Sequence, residues 1–450
     1  MHQLRDICLH ISLILRLCSV GLCVFIPNVG SQPLSCVDIS MLDDLEAGGA
    51  LYRDHHGLGD ALQILKSNGI NTVRLRLFHS PTELRDGLTH MLALAQRAND
   101  LNLKIILNLH YSDSWADPAT QQKPAAWSQI SESVLRDSIY THTYAAIRAL
   151  EEQGTPPIIV QTGNEITTGM LWNTGRVGGS FDVGSQWSSF SGLLKSASKA
   201  VRDASSAQIM LHIDRGGDLE GAFWFFNSLS TYGLDYDLIG LSYYPFWHGT
   251  MNRFSEVAQA LENRFDKPVM LIETAYPWTL RWKDNIHNIV GLPEHVLSEY
   301  PATPEGQASF IRNLWEHVSS GICYWGPEYI SAPNFGSPWE NLALFNFEGE
   351  VLPAANALGL SAITQSETTK ASFSSELFPN PVRISHGSVT LNLEKPLCGM
   401  IEVYNQIGHR VRIQEGFCNR NVVLSVSDFS VGVYWIRIST AQAIPLTVVP

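Results

Sequence analysis

Between about Cys36 and about Leu360 the chain alternates short β-rich runs with longer segments of helical period, eight times over. Strands separated by helices pair in parallel, and a parallel sheet needs cover on its faces. The β-rich runs are Val37 to Met41, Asn71 to Phe78, Lys104 to His110, Pro157 to Gly163, Gln208 to Ile213, Leu238 to Tyr244, Val269 to Thr274 and Gly321 to Trp325. Helical patterns follow most of them: Thr82 to Leu101, Ser131 to Gln153, Gln186 to Ala204, Arg253 to Phe265 and Pro304 to Val318. Eight such pairs fit an α/β fold, a closed (β/α)8 (TIM) barrel, whose chemistry belongs at the C-terminal strand ends.

Polar residues gather at those ends. Arg74 and Arg76 lie in the second strand, His110 ends the third, and Asn164 and Glu165 follow the fourth. His212 and Asp214 end the fifth, Tyr243 and Tyr244 the sixth and Glu273 the seventh, while Trp325 and Glu328 follow from the eighth. Glu165 alone could also be the cap of a following helix, and Glu273 alone is as ambiguous. Together they sit at the ends of strands four and seven, across the mouth of a barrel, where two carboxyl groups can flank one glycosidic bond. Their roles should divide by environment, one keeping its proton and the other staying ionised. Glu273 needs a cation or donors, which Arg74 with Tyr243 or Tyr244 could supply. Asn164 is placed to hydrogen-bond a sugar hydroxyl, or simply to form a turn.

The run Asn108 to Pro118 packs His110, Asp113, Trp115 and Asp117 into one loop at the predicted mouth. Such density suits sugar recognition, a ring covering the apolar sugar face while carboxylates bind hydroxyl pairs; the plainer reading is a turn capped by Asp117 over a buried Trp115. His110 and His212 lack an HExxH-like partner, so no metal site is assigned to them. Asp43, Asp44 and Glu46 after the first strand form an acidic group that could bind sugar or calcium. The long loop Trp278 to Pro304 carries Asp284, Asn285 and Asn288, oxygen donors that could hold Ca2+. No organic cofactor is required.

Residues 361–375 are rich in Ser and Thr and read as a linker between the barrel, 36–360, and a tail, 376–450. The tail has short alternating runs, Val389 to Leu393, Met400 to Tyr404, Arg410 to Ile413, Val422 to Val426 and Gly432 to Ile438, expected to form a small antiparallel β-sandwich. Residues 1–31 read as an export signal, with Arg5 and Arg16 ahead of the apolar run Leu17 to Ile26 and cleavage expected after Ser31. No transmembrane segment of the required length is found. Cys36, Cys323, Cys398 and Cys418 remain after the signal; Cys398 and Cys418 could form a disulfide or stay two buried thiols. With 30 basic against 43 acidic residues and no Lys/Arg cluster, nucleic acid is not an expected partner.

Ile39 to Leu42, Asn71 to Arg76, the Leu109 to Pro118 loop, Gly163-Asn164-Glu165, Ile239 to Pro245 and Glu273 to Pro277, in this order, resemble the arabinogalactan endo-β-1,4-galactanases, glycoside hydrolase family 53. The resemblance covers roughly Val37 to Leu360. It implies a retaining hydrolase of internal β-1,4-galactosidic bonds, acting on galactan polysaccharide and galacto-oligosaccharides, with Glu165 as acid/base and Glu273 as nucleophile. It further implies substrate-binding roles for Asp43, Arg74, His110, Asp113, Trp115, Asp117, Asn164, His212, Tyr243, Tyr244 and Trp325. Many bacterial members bind calcium in the loop after the seventh strand, but Trp282 to Pro293 does not match that pattern well enough to assign ligands. Leu377 to Pro381, Val403-Tyr404-Asn405, Gly408 and Ser430 to Trp435 resemble the C-terminal sorting domain read by type IX secretion systems, which implies export machinery as a partner and a secreted or cell-surface protein. Alternative readings are a related barrel cutting mannan or glucan, a non-catalytic glycan-binding surface protein, and, for the tail, a carbohydrate-binding sandwich.

Overall fold

The computed structural model describes residues 33–82, 87–359, 375–405, 410–438 and 444–449. The expected signal, and all but the last residue of the expected linker, lie outside the described residues. The chain divides into two compact units at Glu367/Thr368.

The first unit is built on eight parallel strands, β1 (Leu34–Asp38), β2 (Thr72–Leu77), β3 (Lys104–Leu109), β4 (Ile159–Thr162), β5 (Gln208–Ile213), β6 (Leu238–Ser242), β7 (Val269–Thr274) and β8 (Gly321–Trp325). They pair in chain order, and β1 closes on β8. The first strand is three residues earlier than expected, for a local reason. Asp38 Oδ1 accepts from the Ser40 main-chain N–H (3.1 Å) and hydroxyl (2.6 Å), a side-chain turn that stops the strand.

Helices cover the outside. Glu132–Gln153 is the longest; Ser131 caps its start by accepting from the Val134 N–H, and Gly154, at φ 83°, ends it in the left-handed conformation. Leu135, Ile139, Ala146, Ile147 and Leu150 make its buried stripe. Each large aliphatic side chain buried this way contributes about 1.5–3 kcal/mol. Two helices not anticipated from the sequence, Ala61–Ser67 and Leu219–Ser230, are each capped by an aspartate, Asp60 and Asp218. Their start signals, the two aspartates, were legible in the sequence.

Inside the barrel, side chains are layered. Cys36, Ile106, Ile159, Met210, Leu238, Met270, Ile272 and Cys323 form an apolar cluster of their own. Two residues further along four of these strands stand Asp38, Asn108, Gln161 and His212, and Arg74 of β2 and Ser242 of β6 share their inward parity; all six are buried and polar. The two-residue period of a strand produces both layers, since every second side chain points inward. Cys36 and Cys323 meet across the closing seam with their sulfurs 2.7 Å apart as free thiols, a pair the sequence did not single out.

The second unit is one mainly antiparallel sheet. Two long strands, Ser388–Asn405 and Arg410–Ser425, make a hairpin, joined by Ser375–Phe378, Gly432–Ile438, Ile444–Val449 and the short Val382–Arg383. The runs expected as four strands are thus two. Pro396 does not end the first, because the pairing register shifts between Asn392 and Leu397 and absorbs it. Val389, Leu391, Ile401, Val403, Val422, Leu424, Ile436 and Leu446 share one core. Cys398 and Cys418 occupy directly opposite register positions in the hairpin.

Candidate active site

The C-terminal strand ends open into a cleft of about 310 Å³. Glu165 reaches it through a sharp turn after β4. Gly163 has φ +99°, and a Cβ there would lie 2.6 Å from Ile166 Cγ2, so only glycine fits. Glu165 itself has φ 45°, a left-handed conformation that costs a non-glycine residue about 1–2 kcal/mol. That strain is concentrated on the residue facing the cleft.

Glu273 arrives by a different device. Met270 and Ile272 point into the barrel, so strict alternation would send Glu273 outward to the helices. The β6–β7 register shifts after Leu241, Ser242 pairing with Glu273, and a second irregularity lies between Leu271 and Thr274 on the β8 side. The irregularity re-aims Glu273 into the mouth.

Arg74, only 1% exposed, organises the floor. Its Nη1 donates to Glu273 Oε1 (2.7 Å) and Asp38 Oδ2 (2.8 Å). Its Nη2 donates to Asn164 Oδ1 (2.8 Å), and Nε and Nη2 both donate to Gln161 Oε1 (3.1 and 3.0 Å). Tyr244 donates its hydroxyl to Glu273 Oε2 (3.3 Å). Glu165 Oε1 accepts from Ser242 Oγ (2.6 Å), whose oxygen also meets His212 Nε2 (2.8 Å).

The two carboxyl groups therefore stand in unequal surroundings. Burial, then the negative charge of Glu273, pushes Glu165 well above the ordinary carboxylate range, with the Ser242 hydrogen bond opposing. Burial raises Glu273 as well, but the Arg74 guanidinium is the next largest influence and holds it down. Burial, reinforced by nearby guanidinium groups, keeps His110 and His212 neutral. The arrangement can hold one proton and one negative charge side by side, the requirement for acid-assisted displacement at a sugar carbon.

Of the residues singled out from sequence, Arg74, His110, Trp115, Asp117, Asn164, Glu165, Tyr244, Glu273 and Trp325 line the cleft. Asp117 does so while its Oδ1 accepts the N–H groups of Ala119 and Thr120, so it is also the turn cap. Asn164 spends both ends of its amide on protein partners, its Nδ2 donating to the Ala116 carbonyl.

The other four lie off the cleft lining, each for a visible reason. Asp43 faces Arg97 and His90. Asp113 accepts the main-chain N–H groups of Ser80 and Ala125, fastening two loops. His212 is fully buried beneath Glu165, and Tyr243 turns outward to stack on Phe254 and donate to the Gly249 carbonyl. Glu328 is buried too, its Oε1 accepting from the Met41 N–H.

Residues the sequence reading passed over complete the lining. Asp38, Asn108, Trp247, Ile289, Tyr329 and Trp339 all border the cleft. Gln161, buried and bonded to Arg74, underlies it; a glutamine in the otherwise apolar run Ile158 to Val160 was the available signal. Trp115 is 42% and Trp247 58% exposed, broad apolar faces in an otherwise polar mouth. Arg76 lies 4.1 Å from the Trp115 ring centre, a cation–π contact that steadies the ring.

In the loop expected to offer oxygen donors to calcium, part of the set is already engaged by the main chain. Asp284 gives Oδ1 to the Ile286 N–H and Oδ2 to the Ser337 N–H, both at 2.7 Å, and Glu340 Oε1 accepts from the Lys283 N–H. Glu340 Oε2 and Asn288 Oδ1, by contrast, are buried with no hydrogen-bond partner among the described residues. In the acidic group after β1, Asp43 and Glu46 face Arg97, which also pairs with Asp60. Among the described residues, Asp54, His55 and His56 bring metal-ligand atoms within 4.8 Å of one another, on a hairpin that does not border the cleft.

Comparison with known proteins agrees with this geometry. Residues 34–358 match the model of glycosyl hydrolase family 53, and residues 376–447 match the secretion system C-terminal sorting domain. An arabinogalactan endo-beta-1,4-galactanase of Cellvibrio japonicus is 34% identical over 337 residues, covering 70% of this chain and 88% of its own. One from Thermothelomyces thermophilus is 32% identical, covering 70% and 96%. The family 53 catalytic domain of Ignisphaera aggregans superposes with a TM-score of 0.69 at 35% identity, covering 74% of this chain and 98% of that one. With its two carboxyl groups on one barrel mouth, this chain is a glycosidase and belongs to glycosyl hydrolase family 53.

Proposed function

We propose that the protein hydrolyses internal β-1,4-D-galactosidic linkages in the (arabino)galactan side chains of pectin, with retention of anomeric configuration. The observation that carries the reading is the unequal treatment of the two carboxyl groups: Arg74 and Tyr244 grip Glu273, whereas among the described residues the Glu165 carboxyl has Ser242 alone.

In this reading Glu273, kept ionised by Arg74, attacks the anomeric carbon while Glu165 protonates the departing glycosidic oxygen. The glycosyl–Glu273 ester forms as the glycosidic bond breaks. Glu165, now a carboxylate, takes a proton from water as that water attacks the same carbon and releases Glu273. Trp115, Trp247 and Trp325 offer ring faces to the apolar side of galactosyl units, and the names of the family relatives supply the sugar. The sorting domain supports export; a type IX route, with residues 1–31 as the first signal, is part of the proposal.

The test is the product profile of protein lacking residues 1–31 on linear β-1,4-galactan, with mannan and cellulose in parallel and Glu273→Ala as control. Short galacto-oligosaccharides from galactan alone, absent with the variant, are expected. Cleavage of mannan or cellulose instead would overturn the substrate, and full turnover by Glu273→Ala would overturn the nucleophile.

A further inference from the structure

Resting on the assignment of Glu165 as the acid, the buried hydrogen bonds beneath it determine which of its two oxygens can carry the proton. His212 Nδ1 faces the main-chain N–H of Glu165 at 3.3 Å. Gln161 Nε2, also a donor, stands 3.0 Å from the same nitrogen. The Gln161 amide cannot be turned round, because its oxygen accepts two bonds from Arg74. Nδ1 therefore has donors in front of it and carries no hydrogen.

A neutral imidazole then has its one proton on Nε2. That atom lies 2.8 Å from Ser242 Oγ, so His212 donates and the serine oxygen accepts. The serine's own proton is left for Glu165 Oε1, 2.6 Å away. The chain runs in one direction, from the imidazole through the hydroxyl to the carboxyl, and reversing it would bring two hydrogens face to face at His212 Nδ1.

We infer that Ser242 and His212 are positioning residues that hold Oε1 of Glu165 as a permanent acceptor, so that Oε2 alone carries the transferable proton. In the first step the Oε2 proton passes to the leaving oxygen as the glycosidic bond breaks and the bond to Glu273 forms. In the second, water forms the new bond to the anomeric carbon, the Glu273 bond breaks, and the water proton returns to Oε2. Throughout, Ser242 steadies the carboxylate form without taking part in the transfer. A serine before a paired tyrosine would otherwise pass as a buried strand residue, since it is fully covered and does not border the cleft.

The charged and titratable groups facing Glu165 come from several elements: Arg74 of β2, His212 of β5 and Asp214 after it, Tyr244 just after β6, and Glu273 of β7. Among the described residues, only Ser242 donates a side-chain hydrogen bond to it. Its removal should therefore act on the basic limb of the pH profile, which reports loss of the Glu165 proton.

The experiment is kcat/KM against pH for Ser242→Ala on β-1,4-galactan and on a nitrophenyl β-galactobioside, whose leaving group departs without protonation. The basic limb is expected to move up by roughly one pH unit, because the carboxylate loses a charge-assisted donor. At the wild-type optimum, kcat/KM on galactan should fall about tenfold and on the nitrophenyl substrate less than about threefold. An unmoved limb, or equal losses on both substrates, would overturn the inference. His212→Gln keeps an amide donor near the Nε2 position and should leave the limb within a few tenths of a unit of wild type; a full shift would count against the relay. Glu165→Gln on the same two substrates separates the failures: if it loses both equally, the acid assignment itself falls, whatever Ser242 does.

Discussion

Replacing Arg74 by lysine keeps the positive charge and removes the planar fork, so its effect can be worked out bond by bond. A lysine ammonium can still face Asp38 and Glu273, the two partners of Nη1. It cannot also span Gln161 and Asn164, which together accept three bonds from Nε and Nη2. At about 0.5–1.5 kcal/mol net each, the loss is about 2–4 kcal/mol, and it leaves Gln161 Oε1 buried without its donors. For a barrel of this size that lowers Tm by about 4–8 °C, read by calorimetry on the full chain. Glu273 and Asn164 lose a shared anchor, so kcat on galactan should fall at least about tenfold. A Tm within 1 °C of wild type, together with unchanged kcat, would refute the view that the guanidinium geometry, beyond its charge, builds the site.

Gly163→Ala must place a Cβ 2.6 Å from Ile166 Cγ2 at φ +99°, and should cost about 1–3 kcal/mol and reduce kcat by swinging Glu165; a melt and a rate matching wild type would show that the turn does not aim the carboxyl. Glu165→Gln should change stability with pH in a definite direction. The folded protein holds this proton more tightly than the unfolded chain, so its stabilising effect is complete below pH ~4 and is lost as pH rises through the raised folded value. The variant lacks that loss and should gain in Tm relative to wild type between pH 4 and 8; a constant difference would contradict the raised value. Trp247→Ala should raise KM about threefold to tenfold with Tm unchanged, since the ring is exposed and its contacts are with Tyr244 and Phe246 at the surface of the cleft.

The barrel was legible because its cause is local. Strand runs such as Gln208 to Ile213 and Val269 to Thr274 have the observed bounds, since β-branched density and flanking turn residues are properties of neighbours in sequence. The two carboxyl groups were legible for the same reason: each ends an apolar strand, where a charge stands out. Misplaced residues share a different history. His212 and Tyr243 were rightly put at strand ends, but His212, inward by parity, lies buried beneath Glu165, while Tyr243, one residue past Ser242, turns out towards the helices. Asp113 and Asp43 look like ligand-binding carboxylates in sequence, and the partners that absorb them, Ser80 and Ala125 N–H or Arg97, lie 12 to 54 residues away.

By itself the sequence determined the alternation of strand and helix, the inward-facing parity of positions 38, 74, 108, 161, 212 and 242, and the delivery of Glu165 and Glu273 to one end of the sheet. Only the tertiary structure decided that Glu273 turns inward despite that parity, that Arg74 binds it together with Asp38, and that the proton of His212 points at Ser242. The physical reason is range. Period and propensity act over a few residues, whereas the Arg74–Glu273 contact joins positions 199 residues apart and the Ser242–Glu165 contact 77 apart, and such pairs exist only once the barrel has closed.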